Sequence, residues 1–196
     1  MDLRLVRRAD GVTVRAFVAL PCPPGLRQAI SRQLAEWRAI DAPIAWVDPV
    51  SAHLTVRFLG SADIQRLDAL GDRLGELAAS ADRIHARPGA TGAFPGWDRP
   101  RVLWLGVESG GAIERLAGAV EAAAREVGFD PEERAFTAHL TLGRVRGQRG
   151  ARRAVPPVRG WAPAGPAEPI AEMVLFQSQL HPSGARHIPL ARYPLP

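Results

Sequence analysis

Two tetrapeptides in this chain carry residue types suited to acid–base chemistry, and they are almost identical: "HLTV" at 53–56 and "HLTL" at 139–142, each preceded by alanine. On a β-strand successive side chains alternate between faces, so His53 shares a face with Thr55 and His139 with Thr141, while Leu54 and Leu140 point the other way. Two residues of strand span roughly 6.6 Å, so one imidazole and one hydroxyl can reach different oxygens of a single phosphate. Two such strands brought together supply two imidazoles. One can take a proton from an attacking water while the other gives one to a departing oxygen, as cleavage of a phosphodiester requires. Imidazole titrates near neutrality, so either histidine suits either task, and the spacing does not say which does which. The threonine hydroxyls can donate to the non-bridging oxygens, whose charge grows in the transition state. The scheme calls for no metal and no cofactor, and no His-x-x-x-His or comparable ligand spacing suggests a zinc site.

The chain holds five histidines and five threonines, from which chance gives on the order of 0.1 His-x-Thr pairs; two are present. His85, His181 and His187 lack this context and read as surface or rim residues. Trp104 lies in an apolar run and reads as core, with base stacking at the cleft edge as the alternative, whereas Trp97, in a Pro/Gly turn, reads as an exposed aromatic able to stack on a base. Arg144, Arg146, Arg149, Arg152, Arg153 and Arg159 could track a nucleic-acid backbone, or form a solvated basic loop.

The elements that must position these residues follow from periodicity. "TVRAFVAL" (13–20) reads as a core strand, and residues 26–39 as an amphipathic helix with Leu26, Ile30, Leu34 and Trp37 on one face. "PIAWVDP" and "AHLTVRFLG" read as short strands, followed by a helix that starts near Asp63 and carries Ile64, Leu67, Leu70, Leu74 and Leu77. Residues 82–94 and 101–107 form a strand pair around "FPGWDRP"; a third helix runs from Gly111 to Val127 and stops at Gly128. The order then recurs, a turn leading into the second His-x-Thr strand. Residues 147–169 read as a flexible basic loop with one short strand near Val155–Trp161, and the chain closes as a hairpin about "HPSG". Without a regular βαβ rhythm, the expected fold is α+β: one bilobal domain over 1–196, with residues 1–12 as an extension, antiparallel sheets in two pseudo-symmetric lobes, helices outside and a cleft between.

Composition narrows the setting. With 196 residues, 46% of them hydrophobic, the chain can bury a sizeable core. The formal charge is +5 and every cation is an arginine, which suits a phosphate-bearing partner. A single cysteine, Cys22, excludes an intrachain disulfide. Charges scattered through "MDLRLVRRADGVTVRAFVAL" match no export signal, and no apolar run approaches a membrane span, so a cytoplasmic setting is expected, and with no obvious spare apolar surface a monomer.

The two His-Leu-Thr-aliphatic strands, with "RAFVAL", "GAFPGWDRPRVLWLGV" and "GARHIPLARYPL", resemble the two-histidine (2H) phosphoesterases, specifically the RNA 2′,3′-cyclic phosphodiesterases once called 2′-5′ RNA ligases. The resemblance runs from about Val14 to Leu195. It implies a bilobal α+β fold and metal-independent opening of a terminal 2′,3′-cyclic phosphate to a 2′-phosphate, with reversible 2′-5′ ligation in vitro. It places catalysis on His53 and His139, phosphate binding on Thr55, Thr141 and Arg144, and base stacking on Phe58. RNAs with cyclic phosphate ends are the implied partners, tRNA fragments being candidates. Ala138 and Gly143 stand where the family commonly has proline and alanine. Arg144 and Phe58 lie at odd spacings from their histidines, so a bulge must return them to the cleft face; Gly143 offers a place for one, and Arg57 is an alternative phosphate contact. Competing readings are a 2′-5′ oligonucleotide or small cyclic nucleotide phosphodiesterase and a non-catalytic RNA-end binding protein.

Overall fold

The computed structural model describes residues 13–179, 181 and 185–196; the expected extension at 1–12 and most of the "HPSG" turn lie outside the described residues. The β-branched and aromatic run at the start forms β1 (Thr13–Pro21), buried continuously from Ala16 to Leu20. Helix α1 (Pro24–Trp37) opens with proline, whose missing N–H is not needed there, and buries the four predicted apolar residues. The amides of Gly25 and Leu26 donate to the Glu168 carboxylate (2.8 and 2.7 Å), so a side chain from the far end of the sequence caps this helix. After β2 (Ile44–Trp46) and β3 (His53–Asp63), helix α2 (Ile64–Ser80) begins where Asp63 accepts from the Arg66 amide. Its buried stripe ends on Ala78 rather than the predicted Leu77, which packs only partly against the core.

Strands β4 (His85–Phe94) and β5 (Val102–Glu108) form the expected hairpin. Helix α3 (Ala112–Glu126) ends before Gly128, which takes the left-handed conformation (φ 88°) that glycine adopts at little cost. Strand β6 (His139–Val145) follows. The strand predicted near Val155–Trp161 is instead a helical turn, α4 (Val155–Arg159). Pro156 and Pro157 cannot donate to a strand ladder but fit a helix's first turn, and Thr91 of β4 donates to the Val158 carbonyl (2.8 Å). The short β7 (Glu168–Pro169) precedes the predicted closing hairpin of β8 (Glu172–Gln179) and β9 (Arg186–Pro194).

All strand pairs are antiparallel, in the order β7-β4-β5-β6-β3-β1-β8-β9, with β2 on β6. The α+β class thus holds, and the two halves meet edge to edge. They are joined where β3 meets β6, and that ladder consists of a single pair, Leu54 opposite Leu140. These leucines are the central residues of the two motifs. Helix α2 contacts β3, β8, β9 and α3, while α3 also touches β3, so helices cover the face opposite the histidines.

Candidate active site

The Leu54–Leu140 pair, both residues buried, acts as a local pseudo-twofold axis. Carried one step either way, this antiparallel register sets His53 opposite Thr141 and Thr55 opposite His139. The sheet therefore gathers all four residues of the two half-sites at its seam, each partly buried.

Both strands then bulge at the same place. Along β1, Ala19 faces Thr55 and Val18 faces Arg57, so Val56 has no opposite number. Along β5, Trp104 faces Thr141 and Leu103 faces Gly143, so Leu142 has none. One extra residue inverts the alternation beyond it. Phe58, 56% exposed, returns to the His53 face, and Arg144 to the His139 face. Phe58 and His53 both lie against the Phe17 ring, at 6.0 and 5.1 Å. The predicted bulge beside Gly143 is present, and its counterpart at Val56 came with no glycine to signal it.

Arg57 and Gly143 are the matching residues turned inward. Arg57, the alternative phosphate contact, is 8% exposed and belongs to the other side of the sheet. It pairs with Glu121 of α3 (2.5 Å) and Glu132 (3.7 Å) and donates to the carbonyls of Phe58 and Asp130, which ties the segment after α3 to β3. Gly143 lets β2 approach: a Cβ there would stand 2.7 Å from Ile44 Cγ2 and 2.8 Å from the Trp46 ring. An alanine here would collide with that tryptophan.

The two imidazoles are held alike. His53 Nδ1 lies 2.8 Å from the Ser51 carbonyl and His139 Nδ1 2.7 Å from that of Thr137, each two residues earlier. A carbonyl can only accept, so Nδ1 carries the proton and Nε2 keeps its lone pair for chemistry. His53 sits among Phe17 (5.1 Å), His187 (5.0 Å) and Phe176 (6.1 Å), and His139 beside Phe94 (5.1 Å) and Trp104 (5.8 Å). Burial pushes the His53 pKa down to about 4; the Ser51 carbonyl opposes this, and His187, Arg144 and His139 add to it. His139 is lowered by burial, against the pull of the Thr137 carbonyl, and further by Arg144. The Arg144 guanidinium thus acts on both imidazoles, as it does on His187.

Two further residues line the site, Trp104 against its first reading and His187 against expectation. Trp104, expected in the core, faces the cleft, and its alternation with buried Leu103 and Leu105 was the available sign. Gly92 faces it on β4, where a Cβ would fall 2.0 Å from the indole. His187, expected at the surface or rim, touches His53 although β3 and β9 are three strand spacings apart, about 14 Å in a flat sheet. Only a strongly curled half-sheet closes that gap, and curling leaves no local sequence mark. Trp97 is packed against the core with the Arg159 guanidinium 5.9 Å above its ring, so it is not the exposed platform expected. Among the other arginines, Arg153 pairs with Asp41 (2.7 Å), while Arg149 and Arg152 join Arg99 around a cavity of ≈ 500 Å³.

The 2′-5′ RNA ligase superfamily profile matches residues 23–176, a span that takes in both His-x-Thr strands, and the chain belongs to that superfamily. It is 38% identical over 108 residues to the RNA 2′,3′-cyclic phosphodiesterase of Aeropyrum pernix, a match covering 55% of this chain and 60% of that protein. The protein of the same name from Archaeoglobus fulgidus is 34% identical over 68% of this chain and 73% of its own length. Among solved structures, TT0787 of Thermus thermophilus superposes with a TM-score of 0.76 at 26% identity, covering 92% of this chain and 97% of the other. Ligand-free LigT of E. coli gives 0.67 at 25%, covering 93% and 98%.

Proposed function

We propose that this chain hydrolyses RNA ends bearing a 2′,3′-cyclic phosphate to terminal 2′-phosphates. The observation that carries the reading is the seam itself: two His-x-Thr strands, related about one leucine pair, each presenting a tethered imidazole with a free Nε2. The relatives' name, RNA 2′,3′-cyclic phosphodiesterase, supports the substrate class.

In this mechanism one imidazole removes a proton from water as the water oxygen bonds to phosphorus. The P–O3′ bond breaks opposite it, and the second imidazole, protonated, gives its proton to O3′. Thr55 and Thr141 donate to the non-bridging oxygens while Arg144 balances their charge, and Phe58 stacks on the terminal base. We assign His53 as the base, since its aromatic surroundings most oppose the charged form, and His139 as the acid. With a 5′-hydroxyl in place of water, the same steps form a 2′-5′ linkage, in keeping with the superfamily's name.

No helix among the described residues is long and apolar enough to cross a membrane. We place the protein in the cytoplasm as a monomer acting on RNA fragments, tRNA pieces among them. The test is product analysis. An oligonucleotide ending in a 2′,3′-cyclic phosphate should yield only the 2′-phosphate; a 3′-phosphate product, or binding without turnover, contradicts the reading.

A further inference from the structure

We propose that His187 is a further phosphate-binding residue beside Thr55, Thr141 and Arg144, a neutral donor whose Nε2–H holds a non-bridging oxygen of the terminal phosphate; this rests on the function proposed above. Three observations converge on it. Its ring lies 5.0 Å from that of His53, nearly perpendicular to it, and 4.9 Å from Phe17, so it belongs to the same wall of the cleft. Its Nδ1 is fully covered and has no hydrogen-bond partner. The residue is only partly buried, and Nε2, unlike Nδ1, is not among the covered atoms that lack a partner, so Nε2 is left open.

The covered nitrogen decides the proton's place. A proton on Nδ1 would bury an unpaired N–H, which costs more than burying a bare lone pair against aromatic rings. The proton therefore resides on Nε2, the open edge. A second proton would have to occupy the covered nitrogen, which resists the imidazolium form. Burial and the nearby Arg144 guanidinium act in the same direction. His187 thus differs from His53 and His139, whose Nδ1–H groups are occupied by carbonyls and whose Nε2 atoms are left to exchange protons. Its fixed Nε2–H can only donate. The Arg144 charge is felt at all three imidazoles, so they share one electrostatic environment.

A donor without charge has a use at this site. The hydrolysis product carries more negative charge than the cyclic ester, so each cation in the site holds product more tightly than substrate. A neutral hydrogen bond orients the phosphate with less of that bias.

The test uses two substitutions of the full chain and adenosine 2′-monophosphate as a product-like probe, with binding measured by calorimetry. His187→Phe keeps a flat ring against Phe17 and Phe176 but removes the donor; His187→Gln restores an N–H near the position of Nε2. The first should bind the nucleotide roughly tenfold or more weakly, as for loss of a hydrogen bond to a charged group, and the second should recover most of that affinity. KM for the cyclic substrate should follow the same order, with kcat changed less. Equal affinity in the Phe variant overturns the proposal, as does a loss in both variants alike, which would mark His187 as packing only. Wild-type protein that neither binds the nucleotide nor opens the cyclic ester would remove the phosphodiesterase reading itself, and the inference with it.

Discussion

His53 carries a stability cost that pH can expose. Its imidazole takes up a proton near pH 6.5 in the unfolded chain but only near 4 in the fold. Between those values the unfolded chain binds more protons, so the folded state is fully favoured above about pH 6.5 and loses stability as pH falls through the window. The loss should reach about 2 kcal/mol by pH 5. Urea midpoints at pH 7 and pH 5 measure it, and His53→Gln should flatten the difference; an unchanged slope in the variant would place the cost elsewhere. Arg57 makes an opposite prediction, because its charge serves the fold. Arg57→Met strands Glu121 and Glu132 and should cost about 2 kcal/mol, below the usual figure for a broken buried pair because both carboxylates keep some solvent. The folded variant should turn over substrate as wild type does. A specific loss of kcat with stability intact would return Arg57 to the cleft.

At the scale of elements, strands and helices were largely legible because the apolar periodicities were clean: α1, α2, α3 and the β4–β5 and β8–β9 hairpins lie where spacing put them. The misses have physical causes. Val155–Arg159 resembled a strand from its composition, but consecutive prolines and burial of Ala154 and Val158 favour a helical turn. The four motif residues were legible from alternation alone, since they precede both bulges. Phe58, Arg57 and Arg144 come after them; parity called for a bulge and Gly143 marked one of the two, whereas the unpaired Val56 carries no sign in the sequence. His187 was missed because long-range curling brought it to the site, while Trp104 reached the cleft edge by its alternation with Leu103 and Leu105, the second of the two readings given to it. Gly143 joins register to packing. Gly143→Ala should drive a methyl into Ile44 and Trp46, cost about 1–3 kcal/mol, and raise KM by shifting Arg144. Thermal unfolding and steady-state kinetics check both; a silent substitution would mean that β2 yields freely.

For the molecule as a whole, the seam explains why duplication matters. Each half supplies an imidazole and a hydroxyl, and the shared edge sets them face to face without a dedicated loop. For the RNA substrate proposed above, the net charge of +5 and the cavity lined by Arg99, Arg149 and Arg152 would add attraction beyond the reacting end. Raising salt from 50 to 200 mM should therefore raise KM more for a decanucleotide than for a dinucleotide carrying the same cyclic end. Equal salt dependence would confine recognition to the cleft. The central claim is that two histidines carry the chemistry between them. It is met most directly by single-turnover opening of an RNA 2′,3′-cyclic phosphate in excess EDTA, comparing wild type with His53→Ala and His139→Ala. Wild-type turnover should survive the chelator, and each variant, still folded, should lose at least about 10²-fold in rate. Loss of wild-type turnover in EDTA, or near-normal rates in either variant, would contradict it.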